Sequence, residues 1–271
     1  MLIQAGYDIR FETEQAVPML ACLRVHPSRR QDLRSPDPVM ADPSVVMHDF
    51  IDGFGNACTR FTIPPGGLAL SSRFEIEDSG ALDLRAADGP QWPVEHLPDT
   101  ALIYLMGSRY CETDRLMDVA WKTFGHFVSA RDRVEAVVDF VNNHITFGYE
   151  YARPDKTAWN GWQERQGVCR DFAHLAITLC RCLNIPARYC TGYLGDIGIP
   201  AQDAPMDFSA WFDVFIAGDW YTYDARHNQP RIGRILMARG RDATDTALTT
   251  AFGTATLKEF TVHTEEMITV V

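Results

Sequence analysis

The sequence predicts an α+β protein in which an N-terminal β-sandwich precedes a core of mixed helices and strands. Three observations lead to this class. Residues 7–77 contain short segments that alternate apolar and polar side chains, residues 134–145 carry apolar side chains at helical spacing, and a proline-rich stretch lies between the two patterns. We therefore expect two domains, residues 1–98 and residues 99–271.

The N-terminal part carries the short strands and turns of a β-domain. Residues 7–11 alternate as one buried strand face requires. Segments 45–51 and 57–63 flank a glycine-rich turn, and a Pro-Pro-Gly-Gly sequence then precedes segment 68–77. A strand about every ten residues is typical of a small sandwich or barrel. The proline-rich stretch from residue 89 to residue 98 is the predicted linker.

Two amphipathic helices are predicted beyond this linker. Ser129 begins a sequence that resembles a capping box, and the apolar residues of 134–145 follow it on one helix face. A second apolar stripe begins after Gly167-Val168 and ends where Asn184-Ile185-Pro186 stops the helix.

Strands dominate the remainder of the chain. Segment 187–194 is predicted as one strand, and segment 260–270 alternates as a final strand. Between them, segments 210–216 and 220–224 predict a hairpin around Gly218-Asp219. The loop from residue 195 to residue 207 is expected to cover a cleft.

Charge and cysteine content exclude several classes of protein. The 25 basic and 36 acidic residues leave a net charge of −11, which argues against binding to nucleic acid or to an anionic membrane surface. The start lacks a secretory leader, and no apolar run approaches the roughly 18 residues of a membrane span, so we expect a cytoplasmic protein. Seven cysteines without a Cys-x-x-Cys pair predict reduced thiols and no structural metal.

Cys169 is the residue most indicative of chemistry. It stands at the predicted first turn of a helix, directly after Gly167-Val168. Unpaired N–H groups and the helix dipole favour the thiolate there, which is the nucleophilic form of cysteine. A buried, inert cysteine at a helix start is the alternative, and spacing alone favours that alternative.

A set of motifs around Cys169 lies in segments 167–175, 185–189, 192–193, 210–212 and 220–224. Together these motifs resemble the core of the bacterial transglutaminase-like superfamily of cysteine proteases. The resemblance covers roughly residues 100–271, and the preceding strands resemble the β-rich domain that often precedes this core. It implies a papain-like core in which the helix carrying the cysteine packs on an antiparallel sheet. It also implies a Cys, His, Asp triad, acyl transfer from an amide, and no metal or organic cofactor.

Carried over to this sequence, the resemblance makes Cys169 the nucleophile and Asp224 the acid that orients an imidazole, although a strand-end aspartate also commonly caps a turn. The chain departs from the family at the third position, because Ser209 stands where the motif has histidine before Ala-Trp. A serine hydroxyl cannot act as a general base near neutral pH. Three explanations stay open: another histidine is the base, the protein binds without cleaving, or the serine is an alteration of the natural sequence.

The predicted hairpin bears on which histidine is available. With a two-residue turn at Gly218-Asp219, Ser209 and Trp211 share a sheet face with Asp224, and His227 points to the other face. His227 can therefore supply the base only if the register shifts or the strand ends before it. Ser209 and Trp211 are expected to line the substrate site.

These expectations combine into one function and its alternatives. The first is a peptidase or amidase that attacks a peptide or amide substrate to form a thioester, with Cys169, Asp224 and His227 as catalytic residues. The second is a peptide-binding module that has the fold without the activity. A scaffold in a larger assembly is a third. His174 lies about 140° around the helix from Cys169 and is predicted to be structural.

Overall fold

A computed structural model of the protein describes residues 1–200 and 206–267, and within these ranges the chain forms five α-helices and fourteen strands. The α-helices are α1 (Asp99–Leu102), α2 (Thr113–Phe124), α3 (Ala130–His144), α4 (Ala158–Glu164) and α5 (Cys169–Cys182). The strands are β1 (Leu2–Glu12), β2 (Val17–Ala21), β3 (Met40–Asp42), β4 (His48–Ile51), β5 (Ala57–Ile63), β6 (Leu68–Glu77), β7 (Thr146–Phe147), β8 (Gln166–Gly167), β9 (Ala187–Leu194), β10 (Ser209–Ile216), β11 (Asp219–Tyr223), β12 (Arg234–Gly240), β13 (Thr249–Ala251) and β14 (Thr256–Glu266). Short 3-10 helices lie at Pro27–Asp32, Val94–His96, Ile103–Leu105 and Tyr149–Tyr151.

Two antiparallel four-stranded sheets form the β-rich part of the molecule. One has the order β14-β1-β6-β3 and the other the order β13-β2-β5-β4. Their inward side chains share one apolar core, to which Tyr7 contributes from β1, Phe61 from β5 and Leu70 from β6. Strands β5 and β6 have the predicted bounds, because glycine- and proline-rich turns limit both of them.

The two C-terminal strands complete these N-terminal sheets. Strand β14 pairs with β1 from Ile3↔Glu266 to Glu12↔Thr256, and β13 pairs with β2. The final strand was expected over residues 260–270, of which residues 268–270 lie outside the described ranges. The division of the chain at residue 98 stays a prediction, and the structure adds that the β-rich part takes strands from both ends of the chain.

The remaining four-stranded sheet has the order β11-β10-β9-β12 and carries α5 on one face. The side chains of α5 are buried almost throughout, since α2, α3 and α4 pack around this helix. Phe172, Leu175 and Leu179 of α5 join Phe212 and Val214 of β10 in one core. This is the predicted packing of the cysteine-bearing helix on an antiparallel sheet.

The termini of the helices follow local sequence signals. The Ser129 hydroxyl oxygen accepts a hydrogen bond from the Asp132 N–H at 3.3 Å and so caps α3 as predicted. Helix α5 ends before Asn184, which takes a φ of 60° in the left-handed region that asparagine tolerates. Within the described residues, no helix combines the length and the apolar character that crossing a bilayer requires.

The hairpin between β10 and β11 differs from the prediction by one residue. Ile216 pairs with Asp219, so the turn is Ala217-Gly218 and not Gly218-Asp219. Both turn residues have positive φ, 53° and 97°, as a tight two-residue hairpin turn requires. The predicted sheet face is nevertheless kept, because the turn still contains two residues. Strand β11 ends at Tyr223, which is one of the two conditions under which His227 can supply the base.

Candidate active site

Cys169 is the first residue of α5 and lies at the end of a short parallel strand pair, β7 and β8. The Val168 N–H donates to Asp171 Oδ2 at 2.9 Å, which fixes the start of the helix. Gly167 is needed for this arrangement, since a Cβ there would lie 2.6 Å from the same Oδ2 atom. The Cys169 side chain is partly exposed, whereas the other six cysteines are buried.

Asp224 and His227 form a hydrogen-bonded pair in the turn that follows β11. The His227 Nδ1 and Asp224 Oδ2 atoms are 2.9 Å apart. Because a carboxylate only accepts hydrogen bonds, Nδ1 carries the hydrogen, and Nε2 of the neutral ring keeps a lone pair. The other carboxylate oxygen of Asp224 accepts from the backbone N–H groups of Arg226 and His227, each at 3.0 Å. Asp224 therefore caps the turn and orients the imidazole at once.

Arg234 also binds the Asp224 carboxylate. Its Nη2 donates to Asp224 Oδ2 at 3.1 Å, and its Nε donates to Asp83 Oδ2 at 2.9 Å. Burial alone would raise the pKa of Asp224, but the hydrogen bond from His227 and the charge of Arg234 lower that pKa well below its usual range. Asp224 is consequently ionised at any pH at which the protein would work.

Trp211 is buried and lies next to Arg234, whose guanidinium carbon is 5.0 Å from the indole ring centroid. The residues that line the cleft beside Cys169 do not include Trp211. The structure therefore places this tryptophan behind the Asp224–Arg234 pair, in contact with the arginine and away from the cleft surface.

An open cleft of about 110 Å³ brings three of the predicted site residues together. Cys169, Ser209 and His227 all line it. Ser209 is the first residue of β10 and pairs with Gly192, which lies near the end of β9. Its side chain is therefore at the end of the sheet where β10 begins and β9 finishes. The expected cover, the loop 195–207, contributes Asp196, Met206 and Asp207 to the lining, while residues 201–205 lie outside the described ranges.

The thiol of Cys169 is protonated in this environment. Burial raises its pKa to about 11, and the charges of Asp207 and Asp224 act in the same direction. Arg226 and the backbone N–H of Ala210 oppose the shift but do not cancel it. The expected thiolate at the helix start is thus outweighed by desolvation. Attack on a carbonyl requires a base that removes the proton, and His227 is the imidazole that shares the cleft.

His174 has the structural role predicted for it. It is fully buried, stacks on the Tyr110 ring with centroids 5.0 Å apart, and accepts at Nε2 from the Ala243 N–H. Burial lowers its pKa to about 3. In the described part of the chain, no group of three His, Cys, Asp or Glu side chains is arranged to hold a metal ion.

Sequence reasoning missed two contributions of the arginines. Arg234 supports Asp224, and Arg226 lies in the cleft with its guanidinium 3.8 Å from the Phe147 ring centroid. For Arg226 the available signal was its place in the Asp-Ala-Arg-His sequence, since residues in one tight turn meet the same side chains. Arg234 lies ten residues beyond Asp224 and offers no such signal.

Comparisons with known proteins agree with this architecture. The family model of the transglutaminase-like superfamily matches residues 125–225 and so ends before His227. An uncharacterized protein of Mycobacterium tuberculosis is 31% identical over 232 residues, covering 77% of this chain and 71% of the relative. An uncharacterized protein of Mycobacterium leprae is 36% identical over 89 residues, which span 30% of each protein.

A solved structure shows the same fold over the whole length. The crystal structure of a candidate cysteine protease from Cytophaga hutchinsonii has a TM-score of 0.86 and 27% identity, and the match covers 100% of this chain and 92% of that one. The fold supports cysteine-based acyl transfer in general. Its helix-borne cysteine, its antiparallel sheet and its relatives together show that this chain belongs to the transglutaminase-like superfamily.

Proposed function

We propose that the protein is a cysteine peptidase or amidase that acts on a peptide or amide substrate through a thioester on Cys169. The observation that carries the proposal is the placement of His227, which Asp224 orients, in the same cleft as the thiol. A nucleophile, a base and a group that holds the base are the three parts that such chemistry needs. The Cytophaga hutchinsonii structure, described as a candidate cysteine protease, supports the same assignment.

The reaction follows from the protonation states at the site. His227 Nε2 takes the proton from Cys169 Sγ as sulfur bonds to the carbonyl carbon of the amide. The resulting imidazolium is stabilised by the Asp224 carboxylate and gives its proton to the departing amine as the C–N bond breaks. Water or a second amine then attacks the thioester and frees the thiol.

Backbone N–H groups can stabilise the oxyanion that forms during attack. The first amides of α5 lack partners within the helix, as at every helix start. The Ala210 N–H lies close enough to Cys169 to lower the pKa of its thiol. Donors in these positions favour a tetrahedral intermediate over the planar ground state.

Ser209 lines the cleft without serving as base in this scheme. Its hydroxyl occupies the family's histidine position at the start of β10, whereas the imidazole comes from the turn after β11. In this proposal the base is His227, which follows β11, and not a residue at the family's histidine position on β10. The acid, Asp224, is at the position that the family motif gives it. The first of the three explanations for Ser209, that another histidine supplies the base, is the one we adopt.

Hydrolysis of fluorescein-labelled casein and mass spectrometry of the quenched enzyme test this assignment. We expect Cys169→Ala and His227→Ala to lower the rate at least about 10³-fold, while the matched variant Ser209→Ala stays within about tenfold of the parent protein. A mass increase equal to an acyl group should appear on Cys169 in the parent. Loss of activity in Ser209→Ala together with an active His227→Ala would contradict the proposal.

A second candidate function is a peptide-binding module without turnover. The raised pKa of Cys169 and the serine at position 209 favour it. It requires that peptide binding survive Cys169→Ala and that the parent protein hydrolyse nothing. Hydrolysis that appears only in Ser209→His would show that the rest of the site is intact and that the base was missing.

A further inference from the structure

Two arginines line the cleft beside Cys169. Arg226 and Arg231 both contribute to its wall. Apart from Asp196, no carboxylate of residues 1–200 and 206–267 lies within salt-bridge distance of either guanidinium, whereas Arg234 nearby is paired with Asp83 and Asp224. Guanidinium groups in a cleft are suited to a planar anion, because their N–H donors match a carboxylate.

Arg231 is the more deeply buried of the two. Only 3% of its surface is exposed, and its Nη2 donates to the Gly195 carbonyl at 2.8 Å. Its Nε atom is buried and has no hydrogen-bond partner among the described residues. A buried, unsatisfied donor on a cationic group is unfavourable, and an anion in the cleft would give the Arg231 guanidinium a charge partner.

Arg226 lies beside two aromatic residues, Phe147 and Tyr149. Its guanidinium lies over the Phe147 ring, and its backbone N–H and carbonyl are bonded to Asp224 and Asn142. Stacking on a ring uses the face of the guanidinium and leaves the N–H groups at its edge. The charge of Arg226 also reaches the sulfur, since it opposes the rise in the pKa of Cys169.

Two acidic residues of the cleft, Asp196 and Asp207, moderate this positive charge. Asp207 Oδ1 accepts from the Phe208 N–H at 2.6 Å, and burial raises the pKa of its carboxyl despite this bond and the charge of Arg226. Asp207 is therefore less readily ionised than an ordinary aspartate. The two guanidinium groups stay charged, so the cleft presents cationic as well as acidic side chains next to the nucleophile.

We propose that Arg226 and Arg231 form a subsite that binds a carboxylate of the substrate next to the amide that Cys169 attacks. The proposal rests on the proposed function for the identity of the scissile group, but binding of the anion does not require turnover. The carboxylate belongs to an acidic side chain or to a chain terminus, since the two share the same chemistry.

Alkylation of Cys169 by iodoacetate and by iodoacetamide is the test, because the two reagents differ mainly in a carboxylate. Rates are divided by those of 2-mercaptoethanol, an uncharged thiol, with the same reagents, which removes their intrinsic difference. We expect the parent protein at low salt to prefer iodoacetate about tenfold, or about 1.4 kcal/mol, and to show saturation with that reagent. Arg226→Gln and Arg231→Gln should each reduce this ratio towards one.

The ratio is insensitive to changes in the thiol pKa, since both reagents attack the same sulfur. Arg60→Gln is the matched control, as Arg60 is an exposed arginine on β5 outside this cleft, and its ratio should equal that of the parent. If Arg231→Gln does not fold, Arg226→Gln still decides the matter. A parent ratio of one, or a preference that survives in Arg226→Gln, would overturn the proposal.

Protection of Cys169 from iodoacetamide identifies the source of the carboxylate. N-acetylglutamate α-amide offers a side-chain carboxylate, N-acetylglutamine offers a terminal one, and N-acetylglutamine amide is the neutral control. Protection by either acid above the neutral control supports the subsite and names its source, and equal protection by all three contradicts it. An iodoacetate preference without any amide hydrolysis would support the carboxylate subsite and contradict the proposed catalytic function. Hydrolysis of neutral amides without an iodoacetate preference would support the catalytic function and contradict the subsite.

Discussion

Replacing Asp224 by asparagine separates the two tasks of this carboxylate. The asparagine oxygen can still accept from the two backbone N–H groups of the turn, but its NH2 group then faces His227 Nδ1 and Arg234 Nη2, which are donors. Two charge-assisted hydrogen bonds are lost, each with a contribution of about 1.5–3 kcal/mol. Arg234 keeps its bonds to Asp83, so we expect the low end of the sum, about 3 kcal/mol of unfolding free energy.

The same substitution should suppress the reactivity of Cys169. Without an acceptor at Nδ1, the imidazole is free to carry its hydrogen on Nε2, where it cannot take the thiol proton. We expect the iodoacetamide rate at pH 7 to fall about 10²-fold and any amide turnover to fall about 10³- to 10⁴-fold, as in other triads with this change. Urea denaturation measures the stability and peptide mass spectrometry follows the alkylation of Cys169.

Asp213→Asn is the matched control for this variant. Asp213 is a buried aspartate of β10 that accepts from Arg188 Nε and from the Thr222 hydroxyl, both at 2.9 Å, and it does not line the cleft. Its loss should lower stability by a similar amount and leave the alkylation rate within about twofold. If the two variants lose stability equally and neither changes the rate, the assignment of His227 as base is wrong.

The pH dependence of the Asp224→Asn effect follows from the direction of the pKa shift. The pKa of Asp224 in the folded protein is lowered below its value of about 3.9 in the unfolded chain. The carboxylate therefore contributes its full stabilisation above about pH 4 and loses it as the pH falls through the folded-state value. The difference in unfolding free energy between parent and variant should shrink when urea denaturation is repeated below pH 4.

Three further substitutions test the fold around the site. Between about pH 6.5 and pH 3 the unfolded chain binds a proton that buried His174 excludes, so the free energy of unfolding should fall with pH by up to about 5 kcal/mol, and urea denaturation of His174→Gln should lack this slope. Gly192→Ala would place a Cβ 2.0 Å from the Ile235 carbonyl oxygen and force β9 from β12, so we expect a loss of about 3 kcal/mol, which an unchanged Tm would refute. Ser129→Ala removes the cap that accepts from the Asp132 N–H and should cost α3 about 1 kcal/mol, seen as a lower urea midpoint.

Local sequence signals predicted those parts of the fold that local interactions determine. Strands β5 and β6 lie between turns rich in glycine and proline, and α3 begins at its serine cap, so their ends could be read from a few residues. Helix α4 was missed because its seven residues are too few to show a helical period. Helix α2 had a usable signal in the spacing of Leu116, Ala120 and Phe124, which form its buried face.

Long-range pairing could not be predicted in the same way. Strand β14 reads as an alternating strand in the sequence, but its partner β1 lies at the other end of the chain. The alternating pattern does not identify the partner strand, because any strand with a matching apolar face could pair with β14. The site shows the same division: the motif identified Cys169 and Asp224, whereas the support from Arg234 depends on how the turn after β11 folds back.

The end of β11 resolves the apparent conflict between the two interpretations of Asp224. In a continuous strand, a residue three positions after this aspartate would point to the opposite face, and the imidazole would be lost to the site. Because β11 ends at Tyr223, the chain turns, and Asp224 Oδ1 accepts from the backbone N–H groups of Arg226 and His227. The same turn returns the His227 ring to Oδ2 of the same carboxylate. Capping a turn and orienting a base are thus one structural feature, and any substitution that unwinds this turn should remove the base even when Asp224 and His227 are both intact.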